Sequence, residues 1–305
     1  MQHIHSHDEI DSAQRSRRLS IAVTLTLIIL VFEAAGGWLS GSLALVADAG
    51  HMLIDAMALL FAWLAAVYAR RPADARRTFG YARLEVLAGY SNSLIQFVLV
   101  GWIVIEALSR LRQPAPVDSA LMFGVALAGL VLNGVVLRVL GGHDHDDVNT
   151  ASARLHVIGD LLGSLGAVLA AIVIHYFGWL WSDAAISILV SLLILNSAWR
   201  LAGRSGHILL EGVPDDLDAA SLGHAIEAEN AGVCNVHHVH VWQLAGGNRM
   251  ATLHAQLFRG TDPDSAIVGI QQFLRERFRI AHATVQIERY SCEEKACERD
   301  HADQN

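Results

Sequence analysis

Cysteine, proline and charge are all scarce in this chain of 305 residues. Its three cysteines, Cys234, Cys292 and Cys297, are too few and too odd in number for a disulfide framework, which points to a reducing, cytosol-facing setting. Five prolines and 25 glycines exclude collagen-like sequence, and the abundance of apolar residues excludes a disordered chain. Charged residues make up 17%, against about 25% in an ordinary soluble domain. The formal charge of −8 leaves no basic excess to neutralise phosphates, so no nucleic acid is expected as a partner. What the chain does hold is apolar residues, 53% of the total, and 16 histidines. Its mean hydropathy of +0.38 argues against a purely soluble protein.

A helix needs roughly 20 mostly apolar residues to cross a hydrocarbon layer about 30 Å thick. Six runs meet that requirement: Leu19 to Trp38, Leu43 to Tyr68, Leu84 to Leu108, Ser119 to Leu140, Leu155 to Phe177 and Ala184 to Leu201. An even number of spans puts both termini on one side. The link RRPADARRTFGYAR between spans two and three, with Arg15, Arg17, Arg18, Arg200 and Arg204, lies on that same side, while the opposite side holds only Arg110 and Arg112. The positive-inside rule therefore predicts cytoplasmic termini. The residues before the first span, His-rich and charged, are not expected to act as a cleavable signal peptide.

Beyond Arg204 the pattern becomes alternating and mixed, which cannot span a bilayer. A helix is expected over Asp215 to Asn230, strands over Val233 to Leu244 and Met250 to Phe258, a helix over Asp262 to Arg279 and a strand over His282 to Tyr290. That α-β-β-α-β order predicts a small α+β sandwich. The expected division is a His-containing tail over 1–18, a six-helix transmembrane domain over 19–204, a cytoplasmic α+β domain over 205–290 and a polar tail over 291–305.

Spans two and five are interrupted by chemistry. Span two reads D48-A-G-H51-M-L-I-D55 and span five reads H156-V-I-G-D160. Each contains His-x-x-x-Asp, and residues four apart share one helix face, so each pair presents an imidazole and a carboxylate to the same side. Two such pairs offer two nitrogen and two oxygen ligands, a set suited to Zn²⁺ and also to Cd²⁺, Co²⁺ or Fe²⁺, and not to Mg²⁺, Ca²⁺ or Mn²⁺. The bland alternative is four buried polar residues satisfying one another. An intramembrane carboxylate costs at least about 2.5 kcal/mol on insertion scales, and such residues are usually functional. Asp48, one turn before His51, either adds a fifth oxygen, holds an imidazole N–H from behind, or stands at the mouth of the site. Glu33 in span one is a weaker candidate, and helix capping accounts for Asp183.

The stretches EAAGGWLSGSLALVADAGHMLIDAMALL, RRTFGYARLEVLAGYSNS and DVNTASARLHVIGDLLGSLGAVLAA resemble the zinc-transporting branch of the cation diffusion facilitator family. The resemblance covers most of the chain. It implies that His51, Asp55, His156 and Asp160 form the site of the transported metal, that Zn²⁺ is exchanged for protons, that the protein works as a homodimer in the lipid bilayer, and that the soluble domain has a metallochaperone-like fold. It also raises His237, His254, His282 and Glu288 as ligands of a cytoplasmic, regulatory metal, with Gln286 standing where some relatives have another histidine. Alternation along the strand V236-H-H-V-H-V-W242 places His238, His240 and Trp242 on one face and His237, Val239 and Val241 on the other. Solvated strand histidines are the simpler reading of any single one. The clusters His3, His5, His7 and His143, His145 are either metal-collecting entrances or solvated polar segments.

Imidazole titrates near about pH 6.5 in the absence of perturbation, so protons and metal compete for it. A site open alternately to the two sides would thus load at neutral pH and discharge into an acidic medium. Two rivals are a membrane zinc hydrolase, which needs an open metal position and a general base and for which no HExxH is present, and a membrane metal sensor.

Overall fold

The computed structural model describes residues 5–69, 71, 73–140, 148–244 and 247–288, with side chains for all of these except 5–20, 66, 69, 140 and 148–156. Six long helices come first: α1 (His5–Ser40), α2 (Leu43–Ala69), α3 (Arg83–Arg112), α4 (Ser119–Leu140), α5 (Val148–Phe177) and α6 (Trp181–Leu209). All six are long and apolar enough to cross a membrane. Several outrun the expected spans: α1 begins at His5 rather than Leu19, α5 at Val148 rather than Leu155, and α6 continues eight residues past Leu201. Polarity ends a span, but only a backbone breaker ends a helix, and these extensions contain no proline.

The breaks between helices have local causes. Gly41 separates α1 from α2 with φ of 74°, and a Cβ there would come 2.9 Å from the Pro116 carbonyl oxygen, so only glycine fits. Gly178, with φ of 67°, ends α5 and donates its N–H to the Ile174 carbonyl. Asp118 caps α4 by accepting from the N–H groups of Ala120 and Leu121.

Contacts divide the chain into two units, residues 1–60 with 91–201 and residues 61–90 with 202–305. Residues 61–90, expected within the transmembrane domain, thus group with the C-terminal unit. In the first unit small residues let helices approach closely. Ala44, Ala126, Ala167, Ala170 and Ala171 pack with Leu45 and Met122 between α2, α4 and α5, as membrane bundles require when lipid offers no hydrophobic driving force. A Cβ on Gly36 of α1 would collide with Val125 of α4.

The second unit contains α7 (Ala219–Glu229), β1 (Val233–Gln243), β2 (Arg249–Leu257), α8 (Pro263–Phe278) and β3 (Ile280–Glu288), the α-β-β-α-β order that the sequence predicts. The sheet order is β1-β2-β3, antiparallel between the first two and parallel between the last two, so α8 is the crossover. Leu222, Ile226, Val241, Leu253, Ile270 and Leu274 form the core between one sheet face and the two helices. Asp218 and Asp262 cap α7 and α8. Arg83 pairs with Glu211 at 2.7 Å, and Arg249 grips Asp216 at 2.7 and 2.8 Å. Cys234 of β1 is disulfide-bonded, a single bridge where the cysteine count argues against a framework of them.

Candidate metal centres

Helical periodicity sets His51 and Asp55 on one face of α2, and their Nε2 and Oδ2 atoms stand 3.6 Å apart. Two ligands bonded to one tetrahedral zinc at 2.0–2.1 Å lie about 3.3 Å from each other, so the pair is spaced close to what a shared ion needs. Asp55 is oriented by a residue that sequence reading missed. Gln96 of α3 donates from Nε2 to Asp55 Oδ1 at 2.6 Å, which leaves Oδ2 for the imidazole side. The available signal was a buried amide in the apolar run SLIQFVLV, whose cost in lipid demands a partner.

Asp160 of α5 is 3% exposed. His156 lies one turn before it, and its side chain is outside the described residues, as are His143, His145 and the side chains of His5 and His7. Asp48 is 3% exposed and its carboxyl group lies against Gly163 of α5, where a Cβ would come 3.2 Å from Oδ2. It is buried inside the bundle rather than standing at an open mouth. Glu33 is fully buried too, accepting a hydrogen bond from Ser164 Oγ at 3.3 Å.

Asp183 is a cap, though for another helix than its own. Its carboxylate accepts from Ser42 Oγ and the Leu43 N–H, both at 2.7 Å, and from the Ala44 N–H at 3.2 Å, closing the N-terminus of the helix that carries His51 and Asp55.

A second cluster lies on the sheet. The strand alternation expected for β1 fails at a β-bulge: His237 faces His254, whereas His240 faces Thr252, so three steps on β1 match two on β2. His238 carries the extra residue, with φ of 50°. The bulge turns His238 to the side of His237, and the rings of His237, His238 and His254 stand 5.1–5.5 Å apart. One nitrogen from each falls within 4.8 Å of the others. Glu288 of β3 accepts from His254 at 2.9 Å and lies 3.4 Å from His237. His282 does not join them. It pairs with Met250, six residues along β3 from Glu288, or about 20 Å at the rise of a strand. His238, set on the opposite face from His237 by alternation, joins the cluster instead, because alternation assigns faces correctly only where the pairing is regular.

Hydrogen bonds from Gln256 and His254, with the imidazoles of His237 and His254 adding, hold the Glu288 carboxyl below its ordinary range. A lowered carboxylate pKa stabilises the fold above the ordinary value of about 4.3 and loses that contribution as pH falls through the lowered one. Glu288→Gln is therefore expected to lower the melting temperature above about pH 5 and to match the parent chain in stronger acid, a difference that melting curves over a pH series would check. Equal gaps at every pH would contradict it.

Residues 19–210 match the family profile described as the cation efflux transmembrane domain, and residues 214–290 match the one described as the cation efflux protein cytoplasmic domain. The protein named zinc transporter ZitB in Escherichia coli K12 is 45% identical over 300 residues, which are 97% of this chain and 96% of that relative. The metal cation efflux system protein CzcD of Cupriavidus metallidurans is 41% identical over 291 residues, 95% of this chain and 91% of the relative. A protein of Bacillus velezensis named as a cadmium, cobalt and zinc/H(+)-K(+) antiporter is 35% identical over 289 residues, 93% and 91% of the two chains.

Proposed function

Because the chain belongs to the cation efflux, or cation diffusion facilitator, family, we propose that it exports Zn²⁺ from the cytoplasm in exchange for protons through a site made by His51, Asp55, His156 and Asp160. The family is one of integral membrane transporters and not of enzymes. The observation that carries the reading is the pairing within α2, where an imidazole and a carboxylate sit 3.6 Å apart with the carboxylate held by Gln96. The second His-x-x-x-Asp, on α5, supplies the other two ligands. Two nitrogens and two oxygens favour Zn²⁺, with Cd²⁺, Co²⁺ and Fe²⁺ as further cargo.

The work of this chain's residues is to trade protons against metal. From the cytoplasmic side, neutral imidazoles and charged carboxylates take the ion. On the opposite side a more acidic medium protonates the imidazoles and the ion leaves. The Arg distribution supports cytoplasmic termini, which set that direction. His237, His238, His254 and Glu288 form a second site facing the cytoplasm, three imidazoles and one carboxylate, whose occupancy regulates transport. Two copies of the chain assemble into the working unit, as the family resemblance implies.

Purified protein in proteoliposomes with an imposed pH gradient tests the proposal. Zinc uptake is expected to follow the gradient and to collapse when a protonophore dissipates it. Zinc binding without flux would instead favour a sensor.

A further inference from the structure

We propose that the link between α2 and α3 is a binding surface for anionic phospholipid headgroups, formed by the guanidinium groups of Arg71, Arg76 and Arg77 with Phe79 as an apolar anchor beside them. Residues 70–82 hold four arginines and one carboxylate, in a chain whose formal charge is −8. That carboxylate, Asp74, is spent on the link's own turn. Its Oδ1 accepts from the N–H groups of Arg76 and Arg77, each at 2.8 Å, and its Oδ2 accepts from the Tyr81 hydroxyl at 2.7 Å. Asp74 and Arg77 also exchange backbone hydrogen bonds, 3.2 Å in each direction. Arg83 is taken up by Glu211, whereas among the described residues no carboxylate forms an ion pair with the side chain of Arg71, Arg76 or Arg77.

Aromatic rings hold two of these cations without consuming them. The Arg71 guanidinium lies over the ring of Tyr68, 4.4 Å from its centre, and that of Arg77 lies over Tyr81 at 4.9 Å. A guanidinium over a ring face is attracted by the π-system while its N–H groups, which radiate in its own plane, stay available to bond two phosphate oxygens at once. All three arginines are exposed. Phe79, two residues beyond Arg77, is 61% exposed, an apolar ring left in the open beside the positive charge.

Chain connectivity sets the depth of this patch. Helix α2 ends at Ala69 and α3 begins at Arg83, and both are long and apolar enough to cross a membrane, so the link leaves and re-enters at the edge of the hydrocarbon. Tyr68 is in the last turn of α2 and Tyr81 stands two residues before α3, which keeps both stacked guanidinium groups near the helix ends. Lipid phosphates lie at that level, and arginines clustered there draw anionic headgroups. An aromatic ring at the same depth settles among the headgroups and acyl chains. Charge and apolar surface together select a lipid over a free phosphate, which offers nothing to Phe79.

Full-length protein in uncharged detergent micelles, titrated with phosphatidylglycerol or with phosphatidylcholine and read by native mass spectrometry, tests this. The parent is expected to prefer phosphatidylglycerol by at least about tenfold at low salt, and to lose most of that preference in about 0.5 M salt. Replacing the three arginines together, Arg71→Gln, Arg76→Gln and Arg77→Gln, should weaken phosphatidylglycerol binding about a hundredfold, roughly fivefold for each. The corresponding triple change to lysine keeps the charge and should stay within about fivefold of the parent. Phe79→Ser should weaken both lipids by about fivefold. Equal affinity of the parent and the neutral triple variant overturns the proposal. A loss in the lysine variant as large as in the neutral one also overturns it, since the packing of the turn and not its charge would then be at stake. Inorganic phosphate that displaces phosphatidylglycerol at equal concentration overturns it in favour of a soluble anion. Should the neutral variant fail to fold, the parent decides alone: no preference between the two lipids, or a preference indifferent to salt, overturns the proposal.

Discussion

Zinc efflux is expected to fall at least about a hundredfold when His51 or Asp160 is replaced by alanine, with the protein still inserted in the membrane. The reason lies in ligand number. A four-ligand site that loses an imidazole or a carboxylate keeps a partly hydrated ion of lower affinity, and for His51 it also loses the group whose protonation would expel the metal. Gln96→Leu should do less, about tenfold, because Asp55 remains and only its orientation by the 2.6 Å hydrogen bond is lost. Metal efflux from loaded vesicles, with membrane insertion measured in the same preparations, distinguishes these effects. Full efflux by either alanine variant would remove the quartet from the mechanism.

Asp183→Ala carries the second large expected effect, on stability. The carboxylate is 1% exposed and satisfies Ser42 Oγ and the N–H groups of Leu43 and Ala44. Arg110, 3.8 Å away, also donates to the Gly41 carbonyl at 2.6 Å and to Glu106 at 2.9 Å. Removing the acceptor strands three buried donors and takes from Arg110 one of its two carboxylate partners, a loss of about 3 kcal/mol or more. The melting temperature in detergent should fall by about 5–10 °C. Asp183→Asn, which keeps one acceptor oxygen, should fall less. An unchanged melting curve for the alanine variant would show that water or lipid takes over the cap.

The membrane architecture and the His-x-x-x-Asp motifs were legible because both are written in one-dimensional periods. Twenty apolar residues announce a span, and a spacing of four announces a shared helix face. What was not legible depends on partners distant in sequence. Gln96 and Glu33 are ordinary polar interruptions until α3 is laid beside α2 and α1 beside α4. Asp183 reads as the cap of its own helix, yet its acceptor atoms reach across 140 positions to Leu43. The cytoplasmic cluster was half visible. His237, His254 and Glu288 lie together, and His282 stands six residues along β3 from Glu288; His238 joins them through a bulge in β1 that no strand period reveals. Helix ends were misjudged for a simpler reason, since hydropathy marks the slab of lipid and not the last hydrogen-bonded turn.

The backbone twist at His238 leaves the empty sheet slightly strained. A side chain other than glycine at a φ of 50° forfeits on the order of 1 kcal/mol, so the empty sheet would gain from a glycine at that spot. Histidine there costs the apo fold slightly and supplies a third imidazole, and under the function proposed above metal capture offsets that cost.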